Sequence, residues 1–315
     1  MRIETKSTAV SIRYCHHKDI DFDKWENCVS NSLNACVYGH VWYLNNISLA
    51  WDGIVMGNYD AVMPVFRDAD RMYLPYGMLW TGIYCKDSLT PRICQEFMNF
   101  IDQTFKYINI TLDKYFFDNV QVDGRLSKEY IYQLDTFKGI SNIDVQGLVG
   151  TVNYNRYSCR DHIINTVKAV IYSDFMDIDK SLSFKTAMML KNLTYKAVEH
   201  RFGCYTELLE RNVSPRGAAL AVYGDSYIFV PFFGTVNMPT DASYGRILLL
   251  SHIVNKYFAH KPGILVIDPQ KSGIPPQALE KMGFKKYAYC RYKVDMLSKF
   301  TNLFKTSNRQ TQFSE

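Results

Sequence analysis

Two short stretches, MYLPYG at residues 72–77 and IFVPFFG at residues 228–234, decide how this chain is read. Each is an apolar, aromatic-rich run broken by proline, which has no amide hydrogen to give to a β-ladder and so marks a strand end or edge. Pro75 lies 38 residues before Asp113, and Pro231 lies 37 residues before Asp268. Each interval holds one segment with helical apolar spacing and one short apolar run that stops at the aspartate. The matched spacing predicts a duplicated unit of about 150 residues. The expected division is an N-terminal half over 1–150, a C-terminal half over 151–298 and a polar tail over 299–315.

Working outward, the first half opens with Phe22, Trp25, Val29, Ser32 and Leu33 on one helical face. A short helix is expected over 40–47, a hairpin of strands over 51–56 and 59–66 about Gly57-Asn58, and a third strand over 72–76. Thr90-Pro91 is a helix start, a capping hydroxyl followed by a proline at the first helical position. Ile93, Phe97, Phe100, Ile101 and Phe105 form its apolar face, and 108–112 reads as a buried strand. Between the halves, strands are expected over 129–134 and 148–154, then a helix over 182–200 with Phe184, Met188, Leu190, Leu193 and Val198 inward. The second half repeats the order: strands over 205–209, 218–223 and 227–233 with a turn over 212–217, a helix over 243–258 and a strand over 264–267.

The chain of 315 residues is 47% hydrophobic and 21% charged, enough apolar material to fill cores without disulfides or metals. A net charge of +5 and a pI near 8.6 fall short of a nucleic-acid binder, so no DNA partner is expected. The eight cysteines form no Cys-x-x-Cys pair and no zinc spacing with histidine. They read as reduced, buried thiols, and no metal is expected. The opening MRIETKSTAVSIRY carries no apolar leader, and ILLLSHIV at 247–254 is too short to span a bilayer. The expectation is a cytoplasmic protein with no integral membrane association.

The segment IPPQALEKMGFKKYAYCRYKV, residues 274–294, resembles the closing element of the acyl-CoA N-acyltransferase (GNAT) fold, a short helix ending in Gly-Phe and followed by a strand. Pro275 and Pro276 suit a helix start, Gly283 suits the left-handed position after the last turn, and Phe284 can pack back on that turn. With two such halves the chain is similar to the tandem-GNAT group, which includes the Fem-type aminoacyl transferases and uncharacterised bacterial relatives. Trp25 to Val29, Trp42-Tyr43-Leu44 and Ala61-Val62-Met63-Pro64 match patterns of that group, so the resemblance covers nearly residues 20–295. It implies an α/β (α+β) fold of two tandem halves, each a mixed, mainly antiparallel sheet flanked by helices.

The resemblance implies a donor held beside a splayed pair of strands, with its pyrophosphate on the N–H groups that open a helix. Here that helix starts near Ser243, and Ser243, Tyr244, Gly245 and Arg246 are the candidate donor-binding residues. The family pattern is Gln/Arg-x-x-Gly-x-Gly/Ala; with Gly245 as its first glycine, Ala242 and Ile247 occupy the other two marks. The family's thiolate acid is a tyrosine four residues before the closing glycine, where this chain has Leu279. Tyr287 and Tyr289 lie near in sequence and are the weak candidates for that role, with a purely structural place in a strand as the alternative. Tyr73, Tyr76, Trp80, Asp268, Lys271 and Ser272 are candidates for a substrate cleft, at a strand's C-terminal end or between the halves. Glu199-His200 is read as an adjacent helical pair pointing apart, and His16-His17 as surface.

Two functions follow. One is an N-acyltransferase that moves an acyl or aminoacyl group from a CoA thioester or an aminoacyl-tRNA to an amine. Acetyl-CoA or another acyl-CoA would then be a substrate, with no tightly bound cofactor. The other is a catalytically degenerate protein that binds a ligand or partner with the same fold. A third reading, a peripheral enzyme of cell-envelope building, rests on the mild positive charge alone.

Overall fold

The computed structural model describes residues 11–48, 50–113, 116, 125–137, 156–169, 172–211, 214–224, 226–236, 242–258 and 263–295. The strand expected over 148–154 and the polar tail lie outside these residues. The first half runs β1 (Ile12–Cys15), α1 (Phe22–Ser30), α2 (Val41–Ile47), β2 (Asp52–Met56), β3 (Ala61–Asp68), β4 (Arg71–Tyr73), β5 (Tyr84–Cys85), α3 (Pro91–Thr104), β6 (Tyr107–Leu112) and β7 (Leu126–Asp135). The remainder runs β8 (Tyr157–Asp161), α4 (Ile164–Val167), α5 (Tyr172–Ile178), α6 (Phe184–Glu199), β9 (Gly203–Glu210), β10 (Ser214–Tyr223), β11 (Tyr227–Thr235) and α7 (Ala242–Ile253). It ends with β12 (Ile264–Ile267), α8 (Pro269–Ser272), α9 (Pro276–Lys281) and β13 (Lys285–Val294).

One 13-stranded sheet joins everything, in the order β1-β2-β3-β4-β6-β13-β7-β12-β11-β10-β9-β8, with β5 on β3. Two of its contacts are parallel, β4 with β6 and β11 with β12. The last strand of each half has crossed to the other. β13, the chain's closing strand, pairs with β6, while β7 pairs with β12, and the two meet antiparallel at the centre. Cys290 opposes Leu112 and Tyr132 opposes Ile267, so Cys290 and Tyr132 hold matching places. The central register obeys the same two-fold: Tyr289 opposes Glu129 and Tyr287 opposes Ile131.

The cores follow from strand alternation. On β13, Tyr292 and Val294 enter the core formed by α3, β2 and β6. On β7, Tyr132 and Leu134 enter the core formed by α7, β9 and α9. The opposite faces of both strands share one further core, where Tyr38 and Trp80 pack on Phe229 at ring distances of 4.2 and 5.1 Å. Each half therefore buries residues supplied by the other.

Local chemistry sets the helix ends. Thr90 Oγ1 accepts from Ile93 N at 3.3 Å with Pro91 in the first turn. Gly283, at φ 89°, lets the chain leave α9, and Phe284 N donates to Leu279 O at 3.0 Å with its ring buried.

Five expectations change. Leu33 is 80% exposed because α1 ends at Ser30, before that residue can complete the face. On α6 the inward stripe is Ala187, Leu190, Leu193, Ala197 and Val198; Phe184 and Met188 are 52% and 44% exposed. β4 stops at Tyr73, so Leu74 and Pro75 lie beyond the strand, and residues 214–217 extend β10 instead of forming a turn. Helix α7 ends at Ile253 and passes into a π-helical turn, Val254–Phe258.

The exchange predicts one cooperative unfolding event. All four tryptophans, Trp25, Trp42, Trp51 and Trp80, lie in the first half, so their emission reports on it and, through Trp42 and Trp80, on its contacts with Phe202 and Phe229. Tyr292 is fully buried and its hydroxyl donates to Asp102 Oδ1 at 2.5 Å. Tyr292→Ala should cost about 3–5 kcal/mol. It should shift the tryptophan-detected and circular-dichroism-detected urea midpoints together. A tryptophan midpoint that stays put would rule the exchange out.

Candidate functional site

Both duplicated prolines sit at the same structural point. β11 and β12 pair from Tyr227/Ile264 to Phe229/Val266, and Pro231 comes two residues later. β4 and β6 pair from Arg71/Tyr107 to Tyr73/Asn109, and Pro75 comes two residues later. Each proline thus lies where parallel pairing has stopped. The two openings are treated differently. In the first half the chain at Thr81 runs beside the end of β6: Thr81 N donates to Thr111 O at 2.8 Å, and Asp113 N to Thr81 O at 3.1 Å. That opening is filled by backbone. In the second half it remains a cavity of about 450 Å³, bounded by Val230, Pro231 and Phe233 on β11, by Val266 to Asp268, and across from them by residues 74–79.

Four predicted cleft residues, Tyr76, Asp268, Lys271 and Ser272, meet in this cavity. Asp268 Oδ1 accepts from Gln270 N at 2.9 Å and Lys271 N at 3.3 Å, capping α8. Ser272 is buried, and its Oγ accepts from Ile274 N at 3.3 Å. The Lys271 stem is exposed, but its ammonium turns inward to donate to Met78 O at 2.7 Å. Crowding by protein around that ammonium lowers its pKa from the ordinary lysine value, against the opposing pull of Asp268. Tyr76 lines the same cavity and also a neighbouring one of about 490 Å³, where it meets Tyr73, Phe184 and Met188.

The predicted donor-phosphate residues do not border the 450 Å³ cavity. Tyr244 and Gly245 are buried. The Arg246 guanidinium lies against Gly273, leaving no room for a Cβ there, and its Nε has no hydrogen-bond partner among the described residues. The Ser243 side chain lies outside the described residues, as do residues 237–241. Leu279, at the family's acid position, is fully buried in the core under α7.

Tyr287, Tyr289 and Trp80 meet elsewhere, on a cavity of about 290 Å³. Tyr289 donates its hydroxyl to Glu129 Oε2 at 3.1 Å, and Arg291 pairs with Glu129 Oε1 at 3.0 Å. Burial and the acid beside it raise the Tyr289 pKa. Asp113 lines the same cavity, and sequence reasoning treated it only as the end of a strand. Its matched place with Asp268 was the available signal. Its Oδ2 accepts from Asn34 Nδ2 at 2.7 Å and its Oδ1 from Phe116 N at 2.9 Å. Burial pushes its pKa up to about 6 against those two donors.

The remaining candidates lie away from these cavities, with His17 half-buried against Phe22 and Trp51. His200 Nε2 lies 3.5 Å from Glu199 Oε2, against the expectation that the pair points apart; His200 is the cap residue and has left helical geometry. His16 Nδ1 lies 3.8 Å from Asp52 Oδ2, and His17 N donates to Asp52 Oδ1 at 2.8 Å. All eight cysteines are free thiols. Among the described residues there is no cluster of metal-ligating side chains, and no helix is long and apolar enough to cross a membrane.

No protein-family model and no curated protein matches the sequence. Solved structures do. The C-terminal domain of a protein named as a lysylphosphatidylglycerol synthetase from Agrobacterium fabrum is 6% identical, with TM-score 0.56 over 91% of this chain and 95% of that one. L-PGS from Bacillus licheniformis is 9% identical, with TM-score 0.52 over 86% and 91%. A tandem GNAT protein from the clavulanic acid biosynthesis pathway is 9% identical, with TM-score 0.48 over 90% and 98%. At such identities the likeness is one of fold. The protein has a mixed α/β architecture, a large, mostly antiparallel sheet flanked by helices, and shares that fold with the first two of these structures.

The raised Asp113 pKa has a consequence for stability. Between pH 4 and 6 the unfolded chain gives up this proton while the folded protein keeps it. The group therefore removes stability as pH rises through that window, by roughly 3 kcal/mol in all. Asp113→Asn abolishes this term. In urea unfolding from pH 3.5 to 7.5, the wild-type stability minus that of the variant should fall as pH rises. A difference that is flat in pH would refute the assignment.

Proposed function

We propose that this protein is an acyl- or aminoacyl-transferase whose reaction takes place in the cavity beyond the last parallel pair of β11 and β12. The carrying observation is that this opening is a cavity with the Lys271 ammonium turned into it, while its counterpart in the first half is filled. An acceptor amine attacks the donor carbonyl, a C–N bond forms, and the bond to the leaving oxygen or sulfur breaks. Lys271 gives a proton to the leaving atom and recovers one from the attacking amine. Burial lowers its pKa from the ordinary lysine value, which makes it a readier proton donor to the leaving atom. Holding the two reactants side by side supplies the rest.

Of the two donors, an aminoacyl ester of the kind carried by tRNA fits better than acetyl-CoA. Arg246 is turned against Gly273, and Ala242 and Ile247 stand where the acyl-CoA pattern has its other marks. The name of one neighbour of this fold, a lysylphosphatidylglycerol synthetase, makes a lysyl donor the one to test first. The degenerate, ligand-binding reading draws on Leu279, which is core where the family places its acid.

Thermal unfolding separates these readings, because a ligand that binds only the native state raises the midpoint, by about 2.7 kcal/mol at 100 times its Kd. The amide analogue of a 3′-lysyl nucleoside should raise the midpoint more than acetyl-CoA at equal concentration. The rise should vanish in Val230→Trp, which fills the cavity. A larger effect of acetyl-CoA reverses the donor assignment, and no effect of either removes the transferase reading. Lys271→Met should keep the analogue-induced rise and lower turnover about 10²–10⁴-fold. Turnover unchanged in that variant leaves the lysine without a catalytic role.

A further inference from the structure

The 290 Å³ cavity is separate from the transfer cavity: the packed rings of Tyr38, Trp80 and Phe229 lie in the shared core beside it. Its walls include Trp80, Tyr227 at the start of β11, Tyr287 and Tyr289 on one face of β13, and Asp113 just after β6, with β7 and β12 contributing Ile131 and Ile264. Trp80 and Tyr227 stand at 83° to each other with ring centroids 6.2 Å apart, forming two sides of a box. Tyr227 and Tyr287 are only partly buried, which leaves the cavity reachable from solvent.

The acid in this box is unusual. Asp113 is buried, and the partners of its carboxylate among the described residues are an amide and a backbone N–H, both neutral. Among the described residues, no lysine, arginine or histidine lines the cavity. The other titratable groups around the carboxylate are tyrosines and thiols: Tyr84, Cys94 and, within the cavity, Cys36, Tyr287 and Tyr289. A carboxylate held in a low-dielectric site without a counter-charge attracts a cation. Aromatic faces attract the same kind of ligand through their quadrupoles, most strongly when it is desolvated.

We propose that this cavity is a binding site for a small organic cation, a primary or quaternary ammonium head group carrying a short carbon chain, with Asp113 as its counter-charge and Trp80, Tyr227, Tyr287 and Tyr289 as its cage. The site stands on its own geometry and holds whether or not the neighbouring cavity carries out group transfer. A primary ammonium reaches it as a free amine and a quaternary one as a choline-type head group. The two share the chemistry that the box recognises.

The probes are propylammonium chloride and tetramethylammonium chloride, titrated into the full chain at pH 7.5, with sodium chloride at matched ionic strength as control. Trp80 emission and the thermal midpoint are the readouts. At least one probe should give a saturable response absent with sodium chloride; the stronger of the two identifies which head group fits. Affinity should weaken tenfold or more in Tyr287→Leu, a partly exposed position, and in Asp113→Asn. It should also weaken from pH 7.5 to 5, as the carboxylate takes up its proton. A response that does not saturate, equals the sodium control or is unchanged in Tyr287→Leu overturns the proposal. The lysyl-analogue measurement on Val230→Trp reads the other cavity, so failure at one site is told apart from failure at the other.

Discussion

The antiparallel pairing of β7 with β13, from Tyr292/Leu126 to Lys285/Gln133, fixes the positions of everything else in the sheet. Either strand alone would leave an edge of unpaired backbone in the middle of the molecule, where water cannot satisfy it. Together they set β6 and β12 at matched distances on either side, and with them the two parallel pairs. Because Tyr292 and Val294 complete one core and Tyr132 and Leu134 the other, neither half has a full hydrophobic interior of its own. The strand exchange and the shared core around Tyr38, Trp80 and Phe229 also bring residues 74–79 of the first half opposite residues 230–233 of the second.

Much of the element order was legible because it rests on local physics. The proline spacing, the Thr90-Pro91 start and the Gly283-Phe284 stop are all short-range signals, and each lies where the sequence places it. What was not legible is long-range. No periodicity in KKYAYCRYKV distinguishes pairing with β6 from pairing with β12, since both neighbours offer an apolar strand ending in aspartate. The inward face of α6 was misread for a related reason. Large apolar residues were assigned inward by size, whereas the buried face carries the small Ala187 and Ala197, with Ala197 close to Gly203 of β9, leaving Phe184 and Met188 outside.

The site was legible in part. Tyr76, Asp268, Lys271 and Ser272 follow from the rule that open sheets gather ligands at the carboxyl ends of their strands, and all four line one cavity. Tyr73 and Trp80 were grouped with them by proximity in sequence. A strand that stops at Tyr73 lets the chain turn, so Trp80 faces a different cavity. The donor-phosphate residues were taken from a pattern that this chain keeps at one of three marks, and the packing of Arg246 over Gly273 accounts for what the missing marks signified.

The two halves carry the same aspartate to different ends. Asp268 closes β12 and spends its carboxylate on the amides that open α8, so its charge is met by a helix start. Asp113 closes β6 where the chain at Thr81 has filled the opening, and Asn34 and Phe116 are the neutral donors left to it. A Cβ on Gly82 would strike the Asp113 carboxyl, so glycine at that position is what permits the close approach. Filling one opening with backbone thus removed a place for a donor and created a buried acid inside an aromatic box. Keeping the other open retained a cavity with the Lys271 ammonium at its wall. The common sheet holds both pairs of parallel strands, but only one of the openings beyond them is left vacant.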